Sequence, residues 1–203
     1  MNFSVIDYGA GNLPSVERAL ERLGAPSRRV ACPAAIAAAD ALILPGVGHY
    51  AALIHALDER SLRAPLHDAI SRGVPFLGIC LGLQALFGSS EEAAELNGLR
   101  LLPGTVRSLP RTVKLPHMGW NQLQRSSESR LLTGISSSSY FYFAHSFAAF
   151  VSEGAPFVAA TCAHGTPFVA AVESRNIFGV QFHPEKSGAA GARVLHNFLQ
   201  VAL

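Results

Sequence analysis

The chain has 203 residues, a length that suits one α/β domain with a full core, and it is read as a single domain over residues 1–203. A formal net charge of only +2 and the lack of any arginine or lysine stripe argue against a nucleic-acid partner. No apolar run reaches the length of a membrane span, and Met1 to Asp7 lacks the basic start of a secretory leader.

Three cysteines, Cys32, Cys80 and Cys162, are odd in number and unrelated in spacing. They suggest neither a disulfide frame nor a zinc site, so a reducing cytoplasm is expected. Charged residues make up 15%, against about 25% in ordinary soluble domains. An Ala-rich drift in composition explains that, and so does a surface partly covered by another chain.

Phe3 to Ile6 reads as a short buried strand, followed by the glycine-rich turn Gly9-Ala10-Gly11-Asn12. Ser15 to Leu23 follows as a helix stopped by Gly24. Ala41 to Leu44 is a second strand, broken by Pro45-Gly46-Val47-Gly48. Helices are expected over Tyr50–Leu57 and Leu62–Arg72, then a strand over Phe76–Ile79 and a helix over Leu81–Phe87. This alternation argues for parallel βαβ units. The second half is β-rich, with short runs at Tyr140–Phe143, Phe147–Val151, Phe157–Thr161, Phe168–Val172 and Ile177–Phe182. A last helix runs from about Gly188 to Val201. The fold class is therefore α/β: an open, mostly parallel sheet flanked by helices, with antiparallel strands added in the second half.

The strongest chemical signal is Gly78-Ile79-Cys80-Leu81-Gly82, a strand entering a helix through G-x-C-x-G. This is a nucleophile elbow with sulfur in place of oxygen. Glycines on both sides permit a sharp turn that lifts Cys80 above the C-terminal sheet edge. The Leu81 amide then sits at a helix start, where it can receive an oxyanion, and the helix end favours thiolate. A buried structural cysteine between packing glycines is the plain alternative.

A thiolate needs a base, and the base needs an orienting group. Gln181-Phe182-His183-Pro184-Glu185 supplies both after a buried strand. Pro184 favours extended backbone at His183, and in an extended chain Glu185 falls on the same side as the imidazole. The other histidines, His145 and His164 among them, read as satisfied core or surface residues. Pro45-Gly46-Val47-Gly48 also lies at a strand's C-terminal end, where ligands of open α/β sheets bind. On its own it is an ordinary turn. Facing Cys80, its small residues could complete an oxyanion hole.

Three blocks, in this order and spacing, resemble the class I glutamine amidotransferases: Pro45-Gly46-Val47-Gly48, Gly78 through Gln84, and Gln181 through Ser187. Three further stretches are similar to the glutaminase subunits of imidazole glycerol phosphate synthases, from histidine biosynthesis. They are Ile6 through Asn12, Pro116-His117-Met118-Gly119-Trp120-Asn121, and Tyr140 through Ser146. The resemblance runs from Ile6 to Phe198. Glutaminase subunits for anthranilate or pyridoxal phosphate synthesis fit less well, and a non-catalytic regulatory domain fits poorly with an intact Cys80, His183 and Glu185.

The resemblance implies Cys80 as nucleophile, His183 as general acid and base, and Glu185 as its orienter. It puts the Val47 and Leu81 amides in the oxyanion hole. Gln84 would bind glutamine, Glu92 its α-amino group, and Gly48 with the Ser146-Phe147 backbone the remainder. Two departures stand out: Phe147 where relatives carry tyrosine, and His49 where a small residue is usual. No metal or cofactor is implied. The implied partner is a TIM-barrel cyclase subunit that consumes the ammonia, since no phosphate loop or dinucleotide fingerprint appears in this chain. Trp120 is either an anchor of that interface or a core residue.

Overall fold

The computed structural model describes residues 3–126 and 128–202. The first half runs β1 (Phe3–Ile6), α1 (Leu13–Arg22), β2 (Ser27–Val30), α2 (Pro33–Ala37), β3 (Ala41–Gly46), α3 (Tyr50–Glu59), α4 (Arg63–Ser71), β4 (Phe76–Cys80) and α5 (Leu81–Gln84). The second half adds β5 (Ser89–Ser90), β6 (Thr105–Ser108), β7 (His117–Gln122), β8 (Gln124–Arg125), β9 (Tyr140–His145), β10 (Phe147–Phe150), β11 (Val158–Ala163), β12 (Pro167–Ser174), β13 (Ile177–Val180) and α6 (Gly188–Ala202). Short 3₁₀ turns span Glu91–Ala93 and Pro184–Lys186.

Strands β2, β1, β3, β4 and β13 lie side by side and parallel. β12, β10 and β6 continue the sheet antiparallel, which bears out the expected fold class. Every residue of β1, β3 and β4 is buried, as parallel strands covered on both faces require. Val16 and Leu20 of α1 and Val194, Leu195 and Phe198 of α6 pack one face. Ile36, Leu53, Ile54, Leu57 and Leu66 of α2, α3 and α4 pack the other. β7 and β9 form a separate antiparallel ribbon, register Trp120 opposite Tyr142. Among the described residues, no helix is long and apolar enough to cross a membrane.

Several boundaries differ from the sequence reading. The helix expected over Leu81–Phe87 is a single turn ending at Gln84. The carbonyls of Ala85, Leu86, Phe87 and Gly88 accept from amides of residues 98–102 instead of continuing the helix. β3 runs on through Pro45 and Gly46, which pair with Ile79 and Cys80. α1 starts two residues early, because Pro14 suits a helix's first turn. β2, α2, β5, β6, β7 and β8 were not foreseen. β2 reads Ser-Arg-Arg-Val and is largely exposed at the sheet edge, so it has no apolar run to betray it.

Candidate active site

The parallel strands all point their C-terminal ends at one edge, and Cys80 stands there as the last residue of β4. Its φ of +55° and ψ of −108° lie in a region costly for a side-chain-bearing residue, about 1–3 kcal/mol. The strain thus sits on the cysteine itself and not on the flanking glycines, as the sequence had suggested. Those glycines supply space. A Cβ on Gly82 would fall 1.9 Å from the Leu44 carbonyl oxygen, and one on Gly78 would fall 2.5 Å from the Gly82 oxygen. Because α5 is one turn long, its dipole adds little for the sulfur. Side chains take that role.

The first is His183. Its Nδ1 lies 2.9 Å from Glu185 Oε1, and the ring stands near enough to the Cys80 sulfur to feel it. Burial works to lower its pKa, but the bonds to Cys80 and Glu185 and their charges outweigh it and raise it to about 10. His183 is therefore an imidazolium at neutral pH, ready to give a proton to a leaving amine. Its backbone is extended, as Pro184 predicts, yet Glu185 reaches it from a 3₁₀ turn and not from an extended strand. Glu185 Oε2 is buried without a partner, so its charge is left for the ring. Ser187, which sequence reasoning missed, donates to the His183 carbonyl at 2.7 Å and accepts from the Tyr142 amide. That ties the base to β9.

A cleft of about 230 Å³ opens beside Cys80. Val47, Gly48, Leu81, Gln84, Glu92, Ser146 and Phe147, all anticipated, line it together with the sulfur. A larger cavity of about 430 Å³, near Phe150 and Pro156, is lined by no cysteine or histidine among the described residues. Chemistry singles out the smaller one. Within it Glu92 Oε2 accepts from the Tyr50 amide at the start of α3. His49 does not intrude. It caps α3 by accepting from the Ala51 amide through Nδ1. The Val47 amide, the expected oxyanion donor, is bonded here to the Tyr8 hydroxyl at 3.3 Å. Burial pushes that phenol up, so it stays neutral.

His145, read from sequence as a core or surface residue, also lines the cleft. Its Nδ1 lies 2.8 Å from the Phe147 carbonyl, which can only accept, so that nitrogen carries the proton. Nε2 then accepts from His117 Nδ1 at 3.1 Å, and His117 Nε2 from Asn121. Both rings are neutral: desolvation by burial is the main cause that lowers His117 to about 4 and His145 to about 3. Among the described residues, no group of His, Cys, Asp and Glu is placed to hold a metal.

Residues 4–202 match the family model for class-I glutamine amidotransferases. The chain belongs to this family. Among its relatives, the imidazole glycerol phosphate synthase subunit HisH of Salinibacter ruber is 46% identical over 202 residues, 96% of this chain and 92% of its own. The subunits of the same name from Moorella thermoacetica and Methanothermobacter thermautotrophicus are 47% and 46% identical. They cover 96% and 98% of this chain, and 92% and 98% of their own. A solved glutamine amidotransferase crystal structure superposes with a TM-score of 0.78 at 21% identity, over 98% of both chains. The PurLQS structure from Thermotoga maritima gives 0.74 at 21%, also over 98% of both. At such identities the two amidotransferase structures speak for the fold alone.

Proposed function

We propose that this chain is the glutaminase subunit of an imidazole glycerol phosphate synthase, with Cys80, His183 and Glu185 as its catalytic set. The observation that carries the chemistry is a buried imidazole–carboxylate pair, His183 with Glu185, beside the Cys80 sulfur at the mouth of a polar cleft. The thiolate attacks the side-chain amide carbon of glutamine. Negative charge moves to the amide oxygen, which the Leu81 and Val47 amides receive. His183 protonates the amide nitrogen, ammonia leaves, and a γ-glutamyl thioester remains. His183, now neutral, takes a proton from water, whose oxygen attacks the thioester and releases glutamate and the thiolate. Glu92 faces the α-ammonium, while Gln84, Gly48 and the Ser146-Phe147 backbone hold the rest.

On this reading the ammonia acceptor belongs to a separate, barrel-shaped cyclase subunit; in support, each of the relatives is named as one subunit of a synthase. A surface on this chain suits such a partner. On the outer face of the β7–β9 ribbon, Met118, Trp120 and Tyr140 are 65%, 55% and 53% exposed, beside a cleft whose Val47 is 38% exposed. Trp120 is thus an exposed residue fitted to anchor an interface and not a core tryptophan. With that cyclase, Cys80→Ala is expected to abolish glutamine-dependent synthesis while leaving synthesis from ammonium salts. Wild-type glutamine turnover by the mutant would overturn the nucleophile assignment. Activation by an anthranilate synthase partner, and not by the cyclase, would overturn the choice of pathway.

A further inference from the structure

Gln181 is fully buried one residue beyond β13, between Val180 and Phe182, and the steps above do not use it. Its Nε2 lies 3.5 Å from Cys80 Sγ. Its Oε1 accepts from Gln84 Nε2 at 3.1 Å. The polarity of this arrangement is fixed from its far end. Gln84 Nε2 also donates to the Phe147 carbonyl at 2.8 Å, and a carbonyl oxygen can only accept. Gln84 must therefore turn its amino group toward both Phe147 and Gln181. Gln181 must then present its oxygen to Gln84 and its N–H to the sulfur. Reversing Gln181 alone would set two amino groups face to face. A backbone carbonyl in the glutamine cleft thus determines which atom meets the nucleophile.

We propose that Gln181 is a second donor to the Cys80 sulfur, acting with His183 to hold the thiolate in place, and that Gln84 positions it. The proposal rests on the glutaminase reading. An N–H donor favours the charged sulfur over the neutral thiol, because hydrogen bonds to charged groups are the stronger kind. It does in this chain what a one-turn helix cannot. A hydrogen bond to a charged group is worth about one to two orders of magnitude in an equilibrium constant. A stabilised thiolate is also a weaker nucleophile, which returns about half of that gain on a logarithmic scale. The net effect on rate is about three- to tenfold.

Two readouts on the full chain with its cyclase test this. In the first, steady-state glutamine hydrolysis, Gln181→Met is expected to lower kcat about three- to tenfold with KM little changed. The second is alkylation of Cys80 by iodoacetamide, followed by mass spectrometry from pH 5 to 8, which needs neither glutamine nor an oxyanion hole. Gln181→Met should slow it by a similar factor. Gln181→Glu keeps the shape but can donate to sulfur only while protonated, so its deficit against wild type should widen as pH rises. Loss of packing alone would give no such pH trend. If Gln181→Met does not fold, the Gln181→Glu profile decides alone. Wild-type alkylation by both variants across the range would overturn the proposal, as would a raised KM with kcat intact. Failure of the wild type to hydrolyse glutamine with any partner would instead overturn the glutaminase reading, and the alkylation result would still judge the sulfur contact.

Discussion

Two loops meet at the cleft, and they are built in opposite ways. The turn carrying Cys80 is enclosed: Gly78 and Gly82 pack against backbone with no room for a Cβ, and Cys80 is 5% exposed. The Pro45–Gly48 segment is pinned at one end and open at the other. A Cβ on Gly46 would fall 2.7 Å from Leu81 Cβ, whereas one on Gly48 would meet nothing within 4 Å. Cys80, the proposed nucleophile, is held in a strained geometry by close-packed surroundings. The Val47 amide, proposed above as an oxyanion donor, sits beside it on a segment with open space at its far end, where Gly48 has φ +92° and Val47 is exposed. A strained nucleophile must be clamped, whereas a backbone amide can serve as the adjustable part.

Four changes would break or sharpen this contrast. The largest effect is expected at the clamped side: Glu185→Gln should lower kcat by up to about 10⁴-fold with KM little changed, because the amide supports the imidazolium poorly. A sharply raised KM at unchanged kcat would contradict the orienting role. Next comes the same substitution made at two places. Gly82→Ala, driven into the Leu44 carbonyl, should cost about 3 kcal/mol in urea unfolding. Gly48→Ala carries only the backbone penalty of its positive φ, about 1–2 kcal/mol. Equal losses would show that the open loop is as constrained as the elbow.

Third, Tyr8→Phe removes the acceptor of the Val47 amide, leaving it free for the oxyanion. Basal glutamine hydrolysis by the chain without its partner should rise about tenfold, a fraction of what one oxyanion donor is worth. A fall in that rate would mean the hydroxyl supports catalysis. The smallest effect concerns pH. His117 and His145, depressed chiefly by burial, stay neutral in the fold while the unfolded chain takes up protons below about 6.5. Their contribution is full above that pH and is lost as pH falls through about 4 and about 3. His183 has the opposite sign. Burial opposes its charge, but its bonds to Cys80 and Glu185 raise it to about 10, so its contribution is full below 6.5 and fades as pH rises. Urea midpoints should therefore be highest near pH 6.5, and a flat profile from 4 to 9 would refute both assignments.

Residues whose role follows from local chemistry were legible in the sequence. The elbow, the His-Pro-Glu unit and the alternation of strands and helices all announce themselves within a few neighbours. What escaped depends on partners distant in the chain. The early end of α5 is set by amides some 14 residues later that capture its next carbonyls. β2 is an edge strand, exposed along Arg28 and Arg29, whose pairing with β1 no apolar run announces. Gln181 left a faint trace, an uncharged polar side chain inside an otherwise apolar strand end, but its meaning came only with Gln84 and Cys80 across the sheet. Tyr8 and Val47 are 39 residues apart, and nothing in either neighbourhood hints at their contact.

The bare outer face of the β7–β9 ribbon has a consequence for the cell as well as for catalysis. A patch bearing Met118, Trp120 and Tyr140 is sticky when unmatched, and a surface of that kind invites self-association. Any copy made in excess of the proposed partner would be exposed to clumping and clearance, while each docked copy gains stability by mass action. The two subunits would then need to be produced in matched amounts, and the supply of the partner, not an added regulator, would set how much of this chain survives.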